Sequence, residues 1–351
     1  MLLRPATEVA IQQSLGDAVL GGIAGLVSQA LILFTLPAIE RGFGVTTGMK
    51  LIELRDPKQR LLRELQRRAP GTYNHSLNVA SIAESAADAI GADALLTYVG
   101  GLYHDVGKMS KPEYFIENQS GRVNKHQSLS PAMSLLLIVG HVKDGLEIAS
   151  EYALPKKLHH FIEAHHGTTL VEYFFYRAQQ RAAKAEIKPD TKTEANPGPK
   201  PDGESSESDA NVAARSTAGG TAPHATDAET PRIDDDRPPE DIDFRYPGPK
   251  PRSREVAILM LADAVESATR AMAEPTPKRI EALVRELAQK RQNDGQFDDC
   301  ELTFRELRII GDSIAKSVTA IYHGRIQYPA ASTAKADPQP ADGSDLKSKS
   351  A

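Results

Sequence analysis

Any fold of this chain has to account for seven chemically related residues scattered along it: His75, the adjacent pair His104-Asp105, His141, the adjacent pair His165-His166, and Asp263. Five of the ten histidines fall in this set. Imidazoles mixed with carboxylates are the ligands expected for a borderline first-row metal such as iron, manganese or zinc. The spacings read as a two-metal hydrolase site, so the segments that carry these residues must converge. A lone histidine on a helix is ordinarily a surface or satisfied core residue, and from the residues alone His126, His159, His160, His224 and His323 are read that way. His104-Asp105 differs because it closes the apolar stretch ALLTYVGGLYHDVGK, where an ionised aspartate is costly to bury without a cation. Neighbouring residues on a helix point roughly 100° apart, so this pair can serve one metal and reach toward a second. Asp263 interrupts the apolar VAILMLADAVESA, and a carboxylate in such a place is ordinarily paired, capped or metal-bound. Glu266, one turn on, reads as solvated.

The segments around these residues carry helical signals. Residues 73–89 form a predicted helix with His75 on its first turn, and 93–103 a second, ending at His104-Asp105. Residues 109–130 are rich in Pro, Asn, Gly and Lys and read as a loop. Pro131 opens an apolar helix expected to end near Gly145, with His141 in its last turns. Residues 155–166 form a further helix closed by Gly167, and others are expected over 253–272, 276–293 and 303–322. Neither strand alternation nor an internal repeat is evident. The expected fold is all-α.

Two polar stretches lie outside this pattern. Residues 183–241 and the tail 330–351 have too few apolar residues to offset the entropy of ordering and are expected to be disordered. The N-terminus behaves oppositely. Residues 18–39 form a run of 22 without a charge, long enough for one helix to cross a bilayer. Arg41, Lys50, Arg55, Lys58 and Arg60 follow it and only Arg4 precedes it, which puts its C-terminal side in the cytoplasm. Gly21 and Gly25 offer a small-residue face for packing on another membrane helix, so a homodimer or a partner membrane protein is expected. A buried core helix and a cleaved signal peptide are the competing readings of this run. The expected organisation is a segment 1–16, a membrane helix 17–42, a helical connector 43–70 broken near Pro57, and a helical domain. That domain lies in two parts, 71–182 and 242–329. The net charge of −5 gives no basis for bulk nucleic-acid binding. Cys300 is the single cysteine, so neither an intrachain disulfide nor a thiolate cluster is available.

The order H…HD…H…HH…D stands in the flanking text APGTYNHSL, YHDVGKM, FIENQ, SLSP, HVKDG, HHGTTLVEYF, RYPGPKP and MLADAVE. Together they resemble the HD domain of the seven-transmembrane HD phosphodiesterases of the PgpH type, which hydrolyse cyclic di-AMP. The resemblance runs from the end of the apolar run to about residue 329, excepting the polar insertion. It implies a helical-bundle phosphohydrolase with two divalent cations, manganese or iron. In it His75, His104 and Asp263 serve one metal, His141, His165 and His166 the other, and Asp105 bridges both. Two departures stand out. Family members usually carry several membrane helices and a sensor region before the HD domain, whereas only the last helix is expected here. The insertion also replaces a shorter connection, although it can loop out at modest closure cost.

The implied chemistry is direct attack of a metal-activated water on phosphorus, without a side-chain nucleophile, giving pApA. Asp105 and Lys108 are the expected catalytic residues, and Lys108 and His126 the expected substrate contacts. Adenine follows from the resemblance alone, because metal chemistry reads phosphate. HHGTTLVEYF also lacks the Gly-Tyr-Pro motif found after the paired histidines in the cyclic di-GMP branch. An HD hydrolase of other nucleotides and a non-catalytic cyclic-dinucleotide sensor remain as alternatives.

Overall fold

The computed structural model describes residues 6–119, 124–186 and 238–323. Among them are eleven α-helices, and the β-structure is a single isolated bridge. The first helix, α1 (Ala6–Phe43), contains a span of 24 residues, Gln13–Leu36, long and apolar enough to cross a membrane and buried against none of the described residues. The connector then divides at Pro57 into α2 (Gly48–Arg55) and α3 (Arg60–Arg68). Leu51, Leu54, Leu61, Leu62 and Leu65 turn inward from these two helices.

At the centre of the bundle is α4 (Pro70–Ala89), which packs on α3, on α5 (Ala94–Tyr103), on α9 (Arg254–Arg270) and on α11 (Phe304–His323). Its buried positions Val79, Ala80, Ile82, Ala83, Ala86 and Ala87 follow helical spacing, and their small size lets α5 come close. Around this centre stand α6 (Pro131–Glu151), α7 (Lys156–Ala164), α8 (Glu172–Glu186) and α10 (Pro277–Asn293). Fully burying a side chain such as Ile82, Ile258 or Leu259 contributes about 1.5–3 kcal/mol, so this core is the main source of stability.

Side-chain caps fix the starts of α6 and α5. Ser130 accepts from Met133 N at 3.1 Å ahead of Pro131, and Asp93 accepts from Leu96 N at 2.9 Å. Three features differ from the sequence reading. Helix α6 continues through Gly145 to Glu151, because Gly145 is a packing position against Gly107 and Ile162, not a stop. The expected loop 109–130 is largely a chain of 3-10 turns: Val106–Ser110, Pro112–Tyr114, Ile116–Asn118 and Lys125–Ser128. Helix α8 was not anticipated and runs to Glu186, past the expected onset of disorder at 183. Its Phe174 joins Leu135 and Phe244 in a second small core. The rest of the polar insertion up to residue 237, and the tail, lie outside the described residues.

An antiparallel bridge between Leu170 and Arg245 ties the two parts of the domain together. Val171 N donates to Phe244 O at 2.8 Å and Tyr246 N to Thr169 O at 3.0 Å. The chain on either side of the insertion is thereby anchored side by side.

Candidate metal centre

Five helices deliver the seven residues to one place: α4 (His75), the end of α5 (His104 and Asp105), α6 (His141), the end of α7 (His165 and His166) and α9 (Asp263). Potential ligand atoms of Asp105, His141, His165 and His166 lie within 4.8 Å of one another, as do those of His75, His104 and Asp263. Asp105 faces both groups. Its Oδ2 is 3.6 Å from His75 Nε2 and 3.3 Å from His104 Nε2, while its Oδ1 is 3.4 Å from His141 Nε2 and 3.5 Å from His165 Nε2.

Gly107 sets the position of Asp105 against α6. A Cβ at Gly107 would stand 1.8 Å from His141 O and 2.5 Å from Gly145 N, so any side chain there would push the turn away from the helix. The His-Asp-Val-Gly order thus carries a packing requirement as well as a chemical one.

The orientation of the imidazoles follows from their other nitrogen. His104 Nδ1 donates to Gly101 O at 2.8 Å, His141 Nδ1 to Ile138 O at 2.5 Å, and His165 Nδ1 to Ile162 O at 2.9 Å. Each acceptor is the carbonyl three residues back. A proton held at Nδ1 leaves the Nε2 lone pair aimed into the centre, the state a metal ligand needs. His75 is arranged differently. Its Nδ1 donates to Glu266 Oε2 at 2.6 Å, and Arg270 grips the same carboxylate oxygen.

The residues fit cations. His104 Nε2 and Asp105 Oδ1 are buried without an aligned hydrogen bond among the described residues, whereas Asp105 Oδ2 has Lys108 Nζ at 2.7 Å and His75 Nε2 has Asp263 Oδ1 at 2.9 Å. Such orphaned atoms are costly unless something coordinates them. Nε2 of His141 and of His165 approach to 3.3 Å with both Nδ1 positions already used as donors, so two lone pairs converge. Electrostatics support the same reading. Burial opposes the charge on Asp105, yet Lys108 and His104 hold its carboxyl well below the usual range. Asp263 is likewise held ionised against burial by His75. Burial pushes His141 down to about 3 and His166 well below the ordinary histidine value, keeping both neutral. For His75 burial also acts downward, but Asp263 and Glu266 outweigh it and lift the ring to about 9. A proton and a cation compete for that Nε2.

Lys108 is at the centre, with Nζ 2.7 Å from Asp105 Oδ2 and 3.0 Å from Glu117 Oε1. Burial disfavours its charge, but these two carboxylates raise it above the ordinary lysine value. The structure does not bring His126 to the centre. Its ring is buried between Tyr114 and Phe174, and Nε2 donates to Tyr114 O at 2.8 Å. The reason is the second small core, which draws in the 3-10 turn that bears it. Arg177 of α8 reinforces this by donating to the carbonyls of His126 and Gln127.

Sequence reading missed three contributors. Glu266 is 2% exposed, not solvated, and its position three residues after Asp263 was the signal, since that spacing shares a helix face. Tyr246 stacks on His166 with ring centroids 4.2 Å apart, and burial raises its phenol. Glu117, 45 residues from Thr72, accepts from the Thr72 hydroxyl at 3.1 Å as well as from Lys108. The last two are joined to the centre only by tertiary contacts.

Helices that gather histidines and aspartates around one shared His-Asp pair define an HD-type metal domain. The chain matches the HD domain family over residues 72–268, more than half its length, and belongs to that family. Membership implies binding of divalent metal. The cyclic-di-AMP phosphodiesterase PgpH of Bacillus subtilis is 38% identical over 312 residues, covering 89% of this chain and 36% of that protein. The protein of the same name from Listeria monocytogenes is 36% identical over 322 residues, covering 92% of this chain and 37% of that protein. The crystal structure of the L. monocytogenes PgpH HD domain in complex with cyclic di-AMP is also similar. It has a TM-score of 0.58 at 34% identity, covering 76% of this chain and all of that one. The chain spans little more than a third of the length of the two curated relatives.

Proposed function

We propose that this chain is a membrane-anchored phosphodiesterase that hydrolyses cyclic di-AMP to pApA, with two divalent cations, manganese or iron, as cofactors. The observation that carries the reading is the split of Asp105, one oxygen toward each ligand group. A carboxylate so placed can bridge two cations. His75, His104 and Asp263 would hold one cation and His141, His165 and His166 the other. When bound, the pair supplies Lewis acidity to the phosphoryl oxygens and makes water acidic enough to act as nucleophile near neutral pH.

The chain's own residues do the rest. Asp105 stays ionised, held so by Lys108. Lys108 keeps a positive charge beside the centre, where it offsets charge developing on phosphorus. Glu117 and Asp105 fix its Nζ, so this charge need not reorganise during the reaction. One water adds across the phosphodiester: its oxygen joins phosphorus, the bond to the 3′-oxygen breaks, and that oxygen leaves with a proton. No side chain forms a covalent bond. The adenine base is supported by the relatives named above, because nothing in a metal centre distinguishes bases.

The span in α1 would anchor the chain, with the basic residues after it facing the cytoplasm. Residues 71–182 and 242–329 would form the catalytic domain, and 183–241 would loop out. The test is the purified full chain, loaded with Mn²⁺ and offered cyclic di-AMP, cyclic di-GMP and dATP separately. Cyclic di-AMP should be cleaved fastest, with pApA as the first product. Equal or faster turnover of dATP would replace this reading with that of another HD nucleotide phosphohydrolase. Binding of cyclic di-AMP without turnover would make the chain a sensor.

A further inference from the structure

Helix α2 is apolar on two opposite faces. Leu51 and Leu54 are 4% and 5% exposed and pack inward, mainly toward α5. Met49 and Ile52 share the other face, three residues apart, and are 62% and 60% exposed. Just before them Phe43 and Val45 are 80% and 53% exposed. Four large apolar side chains within ten residues therefore face away from the protein core. Isolated exposed residues are ordinary, but Met49 and Ile52 on one face, with Phe43 and Val45 close before them in the chain, are more than scattered exposure.

The position in the chain identifies the cover. The apolar span of α1 ends at Leu36, and Phe43 follows seven residues later on the same helix. At about 1.5 Å per residue, Phe43 stands about 10 Å past the hydrocarbon edge, at the depth of the lipid headgroups. The chain turns at Gly44, whose φ of +64° is open to glycine without steric cost, and α2 begins at Gly48. The bare face of α2 thus cannot lie far from the bilayer surface.

Charge points the same way. Between Met49 and Arg63 there are five basic residues, Lys50, Arg55, Lys58, Arg60 and Arg63, against two acidic ones, Glu53 and Asp56; of the five, Lys50 is paired with Glu53 and Arg55 with Glu84 of α4. Apolar side chains flanked by lysine and arginine are the composition of an interfacial helix on anionic lipid.

We propose that the outer face of α2, together with Phe43 and Val45, docks on the anionic lipid headgroup surface next to the membrane helix. The metal-bearing domain then rests on the bilayer instead of hanging from a free tether. The proposal rests on the membrane reading of α1, and the test separates the two.

The chain contains no tryptophan, so a single introduced one is an unambiguous reporter. The full chain is reconstituted into phosphatidylcholine/phosphatidylglycerol vesicles with or without brominated acyl chains, which quench tryptophan on contact. Three variants are compared: Val27→Trp inside the span, Ile52→Trp on the bare face, and Phe304→Trp at an exposed position on α11. Met49→Trp is a second reporter of the bare face should Ile52→Trp fold poorly. Docking predicts strong quenching of Val27→Trp, about half that loss for Ile52→Trp, and none for Phe304→Trp. Quenching at residue 27 but not at 52 or 49 would leave the anchor standing and remove the docking. Absence of quenching at residue 27 would remove the anchor and the docking with it. A blue-shifted but unquenched emission at residue 52 would mean that protein covers the face, which also overturns the proposal. So would equal quenching at residues 52 and 304.

Discussion

The two ligand groups on either side of Asp105 are held by different means. In the group of His141, His165 and His166, two of the rings are oriented by backbone carbonyls of their own helices, Ile138 O and Ile162 O. Wherever α6 and α7 exist, those rings are aimed. In the group of His75, His104 and Asp263, His104 is held in the same local way, but His75 depends on Glu266 of α9. Orientation there is a tertiary property, which appears only when α4 meets α9. The lesson is practical, since one group can be weakened by changing a side chain outside the ligand set. In the other, His141 and His165 rest on backbone acceptors, which substitution does not remove, and His166 alone leans on a side chain outside the set, Tyr246.

The largest effect should come from the residue that both groups share. Asp105→Ala is expected to lower cyclic di-AMP turnover by more than about 100-fold and to deplete both metals. Turnover assays and elemental analysis of the purified variant check this. Wild-type turnover would break the view that Asp105 joins the two groups.

Glu266→Gln should distinguish the groups. The amide keeps an acceptor for His75 but loses the charge, and a partner of this kind is worth about 10–100-fold in metal affinity. In a calorimetric Mn²⁺ titration, one binding step should weaken by that factor while the other stays in place. Equal weakening of both steps would mean that the two groups are not independently held.

Gly107→Ala acts where the groups meet. The added methyl confronts His141 O and Gly145 N, and overpacking of this kind costs about 1–3 kcal/mol. A lower thermal midpoint, measured with and without Mn²⁺, is the expected result. Native stability would show that the turn and α6 can separate at little cost. The smallest effect is expected from the insertion: deletion of residues 190–235 should leave turnover within about twofold, because closing a shorter loop changes the entropy little. A larger loss from folded protein would give that segment a role at the centre.

Much of this architecture is legible in the sequence because helices announce themselves locally. Ser130-Pro131 and Asp93 mark starts, and the alternation of apolar and polar residues marks buried faces. The seven residues stood out because charged or imidazole side chains interrupt apolar runs, as Asp263 does. Reading failed where the same local signal has two meanings. Gly145 resembles a helix stop, yet it is a point of contact inside a longer helix. Glu266 resembles the polar edge of a helix, yet it shares the buried face of Asp263. His126 is an expected substrate contact, and in the structure its ring packs on Phe174 of the small core. The apolar runs of α1 and α9 pose the same ambiguity, since that of α9 is mostly buried and that of α1 is buried against none of the described residues.

What the sequence determined by itself is the helical class and the identity of the residues that gather at the centre, because periodicity, caps and misplaced charges are properties of short segments. What only the tertiary structure decided is the division of labour among them. Asp105 facing both ways and Glu266 behind His75 arise where helices cross, and Tyr246 reaches His166 from the irregular segment just after Arg245. A hydrogen bond over a hundred residues or more of chain leaves no mark in any local window, since its strength depends on a geometry that exists only after folding.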